Sequence, residues 1–536
     1  MITITNLSFH FGGQQLFKDV DLKFTPGNCY GVIGANGAGK STFLKLLCGE
    51  LEPSTGEVHI PAEERLSVLR QDHYAFEEYT VLDTVIMGNA RLYAIMKEKD
   101  ALYEKEDFTD EDGVRASELE AEFAELDGWE AESEVSRLLQ GLGLSEDLMY
   151  QSMSTTTESE KVKILLAQAL FGHPDIILLD EPTNGLDLDA VLWLEDFLAD
   201  YSGTVLVVSH DRHFLNDVCT NIVDIDYGGI KMYVGNYEFW YESSQMVQRM
   251  IKQQNKRAEE KIRELQAFIS RFSANKSKAR QATSRRNLLE KLSVEEMPAS
   301  SRRYPFIGFD MDREPGKDIL TVRDLCAEVE GEVLFSDLSF MVGKGDKIAL
   351  VGDDRAITAL FRILMEEQEA ASGTFKWGIS ISRSYFPRDN SEYFNGCEDS
   401  ILDWMRQYSN DQTESYLRGF LGRMLFSGDS VFKPVHVLSG GEKVRCMFSR
   451  MMLFGSNFLL LDQPTNHLDL ESITAVNNGL SDFKGNLIFS SHDYEIVNTV
   501  ANRIIEITPN GCYDFRGTYE EFVQDKKNKG ITNITL

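Results

Sequence analysis

The chain has 536 residues, 42% hydrophobic and 26% charged, the composition of a globular protein too large for one core. A net charge of −32, from 54 Lys and Arg against 86 Asp and Glu, excludes a general nucleic-acid binder and confines any such contact to a local basic segment. Seven scattered cysteines without a CxxC pair exclude a disulfide framework or zinc site and fit a reducing cytosol, and neither a spanning run nor a secretory signal is legible.

Near the N-terminus an aromatic, Phe11, precedes a glycine-rich loop. GANGAGKST (34–42) follows the apolar run CYGVIG and precedes the helical pattern FLKLLCGE, the strand–loop–helix context of a G-x-x-x-x-G-K-[ST] phosphate loop. Gly34, Gly37 and Gly39, with Asn36 and Ala38 between them, let backbone N–H groups wrap phosphates at a helix N-terminus. Lys40 is placed to reach the β- and γ-phosphates of a nucleotide, and Ser41, followed by Thr42, to ligate Mg²⁺. Gln71, in LRQDHY, follows a strand, where an amide can join metal to water. Residues 91–135 are charge-rich, lack Pro and space their apolar residues helically, predicting a short helical hairpin that is either an acidic surface elaboration or a contact arm. In IILLDEP a buried strand ends in Asp180, placed to hold Mg²⁺ through water, and Glu181, placed to polarise the attacking water. His210, after LVVS, can reach a γ-phosphate.

Residues 243–303 differ in composition. Fifteen basic and six acidic side chains give this segment a charge of +9 and leave −41 for the rest. Ile251, Ala258, Ile262, Leu265, Ile269 and Phe272 form a helical stripe, and a second helix through Leu288, Leu289 and Leu292 stops before Pro298. The two predict a hairpin with a basic tip, where Lys276, Lys278, Arg280, Arg285 and Arg286 are candidate RNA contacts. The alternative is a solvated coiled-coil face.

The chain then repeats itself. IILLDEPTNGLDLDA (176–190) returns as FLLLDQPTNHLDLES (458–472), and VLVVSHDRHFL (205–215) as LIFSSHDYEIV (487–497), both at an offset of 282 residues. Near the start of each half the offset is 318, because of the insertion. The domains expected are therefore 1–242, a linker at 243–303, a second unit at 304–524 and a short tail at 525–536.

The second half departs from the pattern. Its loop reads VGDDRAITALFRIL, with Ile357 in the lysine position and Thr358 in the Ser/Thr position. Val329 replaces the aromatic, Arg388 the glutamine and Gln463 the glutamate. An engineered Glu→Gln trap is the alternative account of Gln463; decay fits better, because four neighbouring elements have decayed too. Conversely LSGGEK (438–443) is intact in the second half, whereas Thr156, Thr157, Glu158 and Ser159 replace its Leu-Ser-Gly-Gly in the first. Combining Phe11, Lys40, Gln71, Asp180, Glu181 and His210 with Ser439, Gly440 and Gly441 gives one complete set, and the converse combination is damaged nearly throughout.

LSGGEK with the phosphate loop and LLDEP resembles ATP-binding-cassette ATPases. That resemblance implies an α/β fold of two tandem cassettes in a head-to-tail sandwich, each nucleotide lying between one phosphate loop and the other signature. The whole chain resembles the soluble ABC-F family of ribosome-associated ATPases, and DNSEYF (389–394) with HLDLESITAVNNGL is similar to its YbiT-type subgroup. The resemblance implies a cytoplasmic monomer that closes intramolecularly, with the linker entering the ribosomal exit-site region near tRNA and rRNA, and with no membrane or transmembrane subunit. An antibiotic-resistance ribosome-protection protein, a transporter ATPase subunit and a DNA-repair ATPase are the alternatives.

Overall fold

The computed structural model describes residues 1–11, 14–70, 72, 74–105, 109–226, 228–272, 302–329, 331–466, 468–509 and 511–529. In the first half the strands are β1 (Ile2–Phe11), β2 (Gln14–Phe24), β3 (Asn28–Gly34), β4 (Thr55–His59), β5 (Leu66–Val68), β6 (Ile176–Asp180), β7 (Thr204–Val208), β8 (Asn221–Asp226) and β9 (Gly229–Val234). A small antiparallel sheet is ordered β2-β1-β4, and a larger one β5-β6-β7-β3-β8-β9, parallel except for β9 against β8. Every residue of β7 and β8 is buried, as expected of parallel strands covered on both faces. This order puts β3 between β7 and β8, so the C-terminal ends of β3, β6 and β7 open onto one edge, where α/β sheets bind ligands.

The second half repeats the plan with β10 (Leu320–Val329), β11 (Glu332–Val342), β12 (Lys347–Gly352), β13 (Ser372–Trp377), β14 (Arg383–Phe386), β15 (Phe458–Asp462), β16 (Asn486–Ser490), β17 (Arg503–Thr508) and β18 (Gly511–Phe515). Its sheets are ordered β11-β10-β13 and β14-β15-β16-β12-β17-β18. The duplication is visible in the registers: Gly34 pairs with Ile225 and Gly352 with Ile507. Each small sheet packs on the helix after its phosphate loop: Phe17 and Phe24 lie against Phe43 in the first half, and Phe335 and Phe361 share the second half's own core.

Helices Ala90–Tyr103 and Asp110–Glu125 occupy the inserted segment. They pack through buried Ile95, Leu102, Leu119 and Phe123, and carry the ion pairs Lys99–Glu120 (2.9 Å) and Arg115–Glu98 (2.7 Å). The long helix runs over Tyr237–Phe272, about 54 Å at 1.5 Å per residue. It starts before residue 243 because the Asn236 side chain accepts the Phe239 N–H at 3.1 Å and caps the helix there. No helix among the described residues is long and apolar enough to cross a membrane.

The halves meet through a shared hydrophobic core and a buried arginine. Arg302 pairs with Asp224 at 2.7 Å and Asp226 at 3.6 Å on β8, and with Glu471 of the second half at 2.9 Å. Its guanidinium lies 4.6 Å from the centre of the Trp240 ring at the base of the long helix. Nearby, Arg212 pairs with Glu495 at 2.9 Å and the His213 and Tyr494 rings lie 4.1 Å apart.

Candidate functional site

A cavity of about 950 Å³ lies between the halves. One wall is the loop after β3, where the chain must turn through conformations that favour glycine: Gly37 has φ 80° and Gly39 φ 103°. A Cβ at Gly37 would meet no atom within 4 Å, so that side of the loop opens into the cavity. The following helix, Lys40–Leu47, has no side-chain cap at Gly39, which leaves its first N–H groups free for an anion. Asn36, Lys40, Ser41 and Thr42 line the cavity with Asp180, Glu181 and His210 from the ends of β6 and β7. Backbone donors, an ammonium, a hydroxyl and a carboxylate together suit a phosphate chain carrying a divalent cation.

The electrostatics follow from burial. The Lys40 Nζ donates to the Gly34 carbonyl at 2.8 Å; burial lowers its pKa, opposed by Glu181. Burial likewise pushes the Glu181 carboxyl up to about 8, with Lys40 opposing and Asp180 reinforcing. His210 is pushed down to about 3, first by burial and then by Lys40, so its ring is neutral. Its backbone N–H donates to Glu181 Oε2 at 3.2 Å and its Nε2 lies 3.2 Å from Oε1. Glu181 itself sits at φ 53°, a left-handed conformation that a non-glycine residue adopts only when its surroundings enforce it.

The other wall comes from the second half. Helix Gly440–Leu453 begins at Ser439, which forms a reciprocal cap with Glu442: Ser439 N–H to Glu442 Oε2 at 2.9 Å and Glu442 N–H to Ser439 Oγ at 3.4 Å. Ser439, Gly440 and Gly441 thereby face the phosphate loop of the other half across the cavity. Arg445, Thr465, Asn466 and Asp493 line this wall as well. The sequence reading missed them, although Thr465 and Asn466 lie in the repeated PTN-x-LDL phrase, whose duplication was the available signal.

Two expected residues do not line the cavity. Gly34 ends β3 and serves through its carbonyl, where a Cβ would stand 2.7 Å from the Ile225 carbonyl; Ala38 packs against the first-half core. The side chain of Phe11, Gln71, and Lys276, Lys278, Arg280, Arg285 and Arg286 lie outside the described residues.

A family model described as ABC transporter matches residues 17–184 and again 335–466, and a second of the same description matches 223–309. The chain is 60% identical to the uncharacterized ABC transporter ATP-binding protein YkpA of Bacillus subtilis (strain 168), over 98% of each chain. It is 43% identical to the probable ATP-binding protein YbiT of Escherichia coli O157:H7, over 98% of this chain and 99% of that one. Among solved structures, the archaeal ribosome recycling factor aABCE1, in complex with the ribosomal stalk protein aP1, shares the tandem fold with a TM-score of 0.62 at 17% identity, covering 99% of this chain and 94% of that one. With two matched cassettes in one chain and near full-length relatives on both counts, the chain belongs to the ATP-binding-cassette family, as a tandem-cassette ATPase of the ABC-F type.

Proposed function

We propose that this ATPase is a cytoplasmic, ribosome-associated translation factor, monomeric and closing on itself, with one hydrolytic site per chain. It binds the exit-site and tRNA region of the ribosome in its ATP-closed form and leaves on hydrolysis. The observation that carries the single site is the composite cavity, in which the intact loop of one half faces the intact signature of the other.

Within it, Lys40 and the N–H groups of the 34–42 loop hold the β- and γ-phosphates, and Ser439 with the helix start at Gly440 caps the γ-phosphate from the far side. Ser41, Asp180 and, by its sequence position, Gln71 would hold Mg²⁺, which supplies charge neutralisation on the phosphates. Glu181, made more basic by burial, takes the proton of the attacking water, and the neutral His210 orients the group it bonds. The ring Nδ1 of His210 is buried without a hydrogen-bond partner, which leaves it available to a ligand or water.

The ribosomal part rests on charge and family. A segment of +9 on a body of −41 attracts RNA phosphate locally while the body repels it, which orients the approach. Replacing Lys276, Lys278, Arg280, Arg285 and Arg286 by Ser is expected to weaken ATP-dependent co-sedimentation with ribosomes. The slope of log K against log salt should fall by about 0.9 or less for each lost phosphate contact. Co-sedimentation unchanged at low and moderate salt would refute these contacts, and partition with membranes or DNA instead of ribosomes would refute the function.

A further inference from the structure

The second phosphate loop has changed its shape as well as its charge. Without glycines after Gly352 the chain turns directly into helix Asp354–Leu364, which begins about one turn ahead of Ile357; in the first half the helix begins at Lys40 itself. Ile357, in the lysine position, is a core residue, 2% exposed and packed with Ala356 and Leu360. The Asp353 carboxylate caps this helix, accepting the N–H groups of Arg355 at 2.7 Å and Ala356 at 3.2 Å. Those are the donors that a phosphate would take at a helix N-terminus.

The next carboxylate, Asp354, points the other way. Its Oδ2 lies 2.8 Å from a guanidinium nitrogen of Arg388 and 3.3 Å from Nε2 of His492, and its Oδ1 accepts from Nε2 of Gln463 at 3.4 Å. By alignment these three correspond to Gln71, His210 and Glu181 of the first half, read there as the amide joining metal to water, the γ-phosphate contact and the group that polarises the attacking water. The surrounding frame is otherwise kept: the His492 N–H donates to Gln463 Oε1 at 3.3 Å, Gln463 holds φ 51°, and Thr358 donates to Asp462 at 2.7 Å. Burial alone would raise the Asp354 carboxyl, but His492 and Arg388 outweigh it and hold it below the usual carboxylate range.

We infer that the second site is liganded by the chain itself: Asp353 fills the phosphate-cradle donors and Asp354 the γ-phosphate position, so that no nucleotide enters. Arg388 then has a definite role, since a carboxylate replacing a phosphate needs a fixed cation where the site has lost its lysine. The glutamate-to-glutamine change also fits, because a glutamate at 463 would face Asp354 with like charge, whereas the amide donates to it. Each departure that reads singly as decay becomes a complement to an internal anion.

This inference rests on the reading of the first site as the hydrolytic one. It is tested by equilibrium dialysis of the Glu181→Gln protein, saturated with MgATP, against labelled inorganic phosphate. The parent is expected to hold one ATP per chain and no phosphate. Adding Asp353→Gly and Asp354→Gly should free both sets of partners and admit one phosphate per chain, bound about tenfold or more tighter than by the parent. Adding Arg388→Ala to that variant should abolish the uptake. The ATP retained in each sample shows that the variant is folded. The inference is overturned by a parent that takes phosphate or a second ATP as readily as the variant, or by a folded variant that gains neither. The second of these outcomes leaves the assignment of Glu181 untouched, because that is judged by turnover.

Discussion

The two phosphate loops hang from equivalent strands in equivalent sheets and meet opposite fates. After β3, two glycines, Gly37 and Gly39, hold the loop open, Lys40 is buried under the cavity floor, and the helix N-terminus is left uncapped. After β12, a helix fills the loop, an isoleucine joins the core, and two aspartates satisfy the donors. The backbone frame around both is nearly the same, down to left-handed Glu181 and Gln463 and the N–H that each side chain accepts from the following histidine. Site chemistry can therefore be lost while the architecture that positions it is kept, and the retained frame still packs the other half correctly against the working site.

The comparison predicts its largest effect at Glu181. Glu181→Gln keeps shape and removes basicity, so turnover should fall by about 10²–10⁴-fold while ATP binding is retained. Steady-state hydrolysis surviving in Glu181→Gln, but lost in Gln463→Ala, would reverse the roles of the two halves.

Arg302 sharpens the comparison from outside the sites. It is buried between the halves and touches three carboxylates, one of them on the helix that follows the PTN-x-LDL phrase of the second half. Removing it strands those acids in a buried setting, and such losses cost about 3–5 kcal/mol. Arg302→Ala is expected to lower the melting temperature and depress kcat, with Arg302→Lys recovering part of the stability. Unaltered melting in Arg302→Ala would show that the junction between linker and cassettes is held elsewhere.

Acidity offers a further separation. Burial raises the Glu181 carboxyl to about 8, so its carboxylate form accumulates as pH rises, whereas His210, lowered to about 3, stays neutral throughout. At subsaturating MgATP, kcat/KM, which reports the free enzyme, should climb between about pH 6 and 9 with no falling limb from His210. A profile flat across that range would remove Glu181 as the titrating base.

Much of this was legible in the sequence because the working site is made of local motifs whose residue types have few other uses together. The pairing of opposite halves was legible too, because intact and damaged parts sorted cleanly into two sets. The role of Asp354 was not: read along the chain, Asp353 and Asp354 are only like charges that would repel a phosphate. That they satisfy N–H groups, Arg388, His492 and Gln463 depends on the helix starting early, a consequence of missing glycines that alignment to the first loop conceals. The start of the long helix was missed for a similar reason, since the Asn236 cap lies in a segment read as the end of the cassette.

The smallest expected effect is the most discriminating. Gln463→Glu restores the missing base to the second site by a single atom exchange, and on a motif-by-motif view should recover some activity there. The geometry argues otherwise. The restored carboxylate would lie beside Asp354, whose oxygen now accepts from the amide at 3.4 Å, and two like charges at that separation would compete for Arg388 and His492. No lysine or open loop would be present to seat a phosphate, because Ile357 belongs to the core. Turnover of Gln463→Glu should therefore match the parent's, because no working general base is gained, while any stability change is a loss. A turnover near double the parent's, abolished by Thr358→Ala but not by Ser41→Ala, would mean that the second half still binds and hydrolyses ATP and that its loop opens in a way this fold does not display.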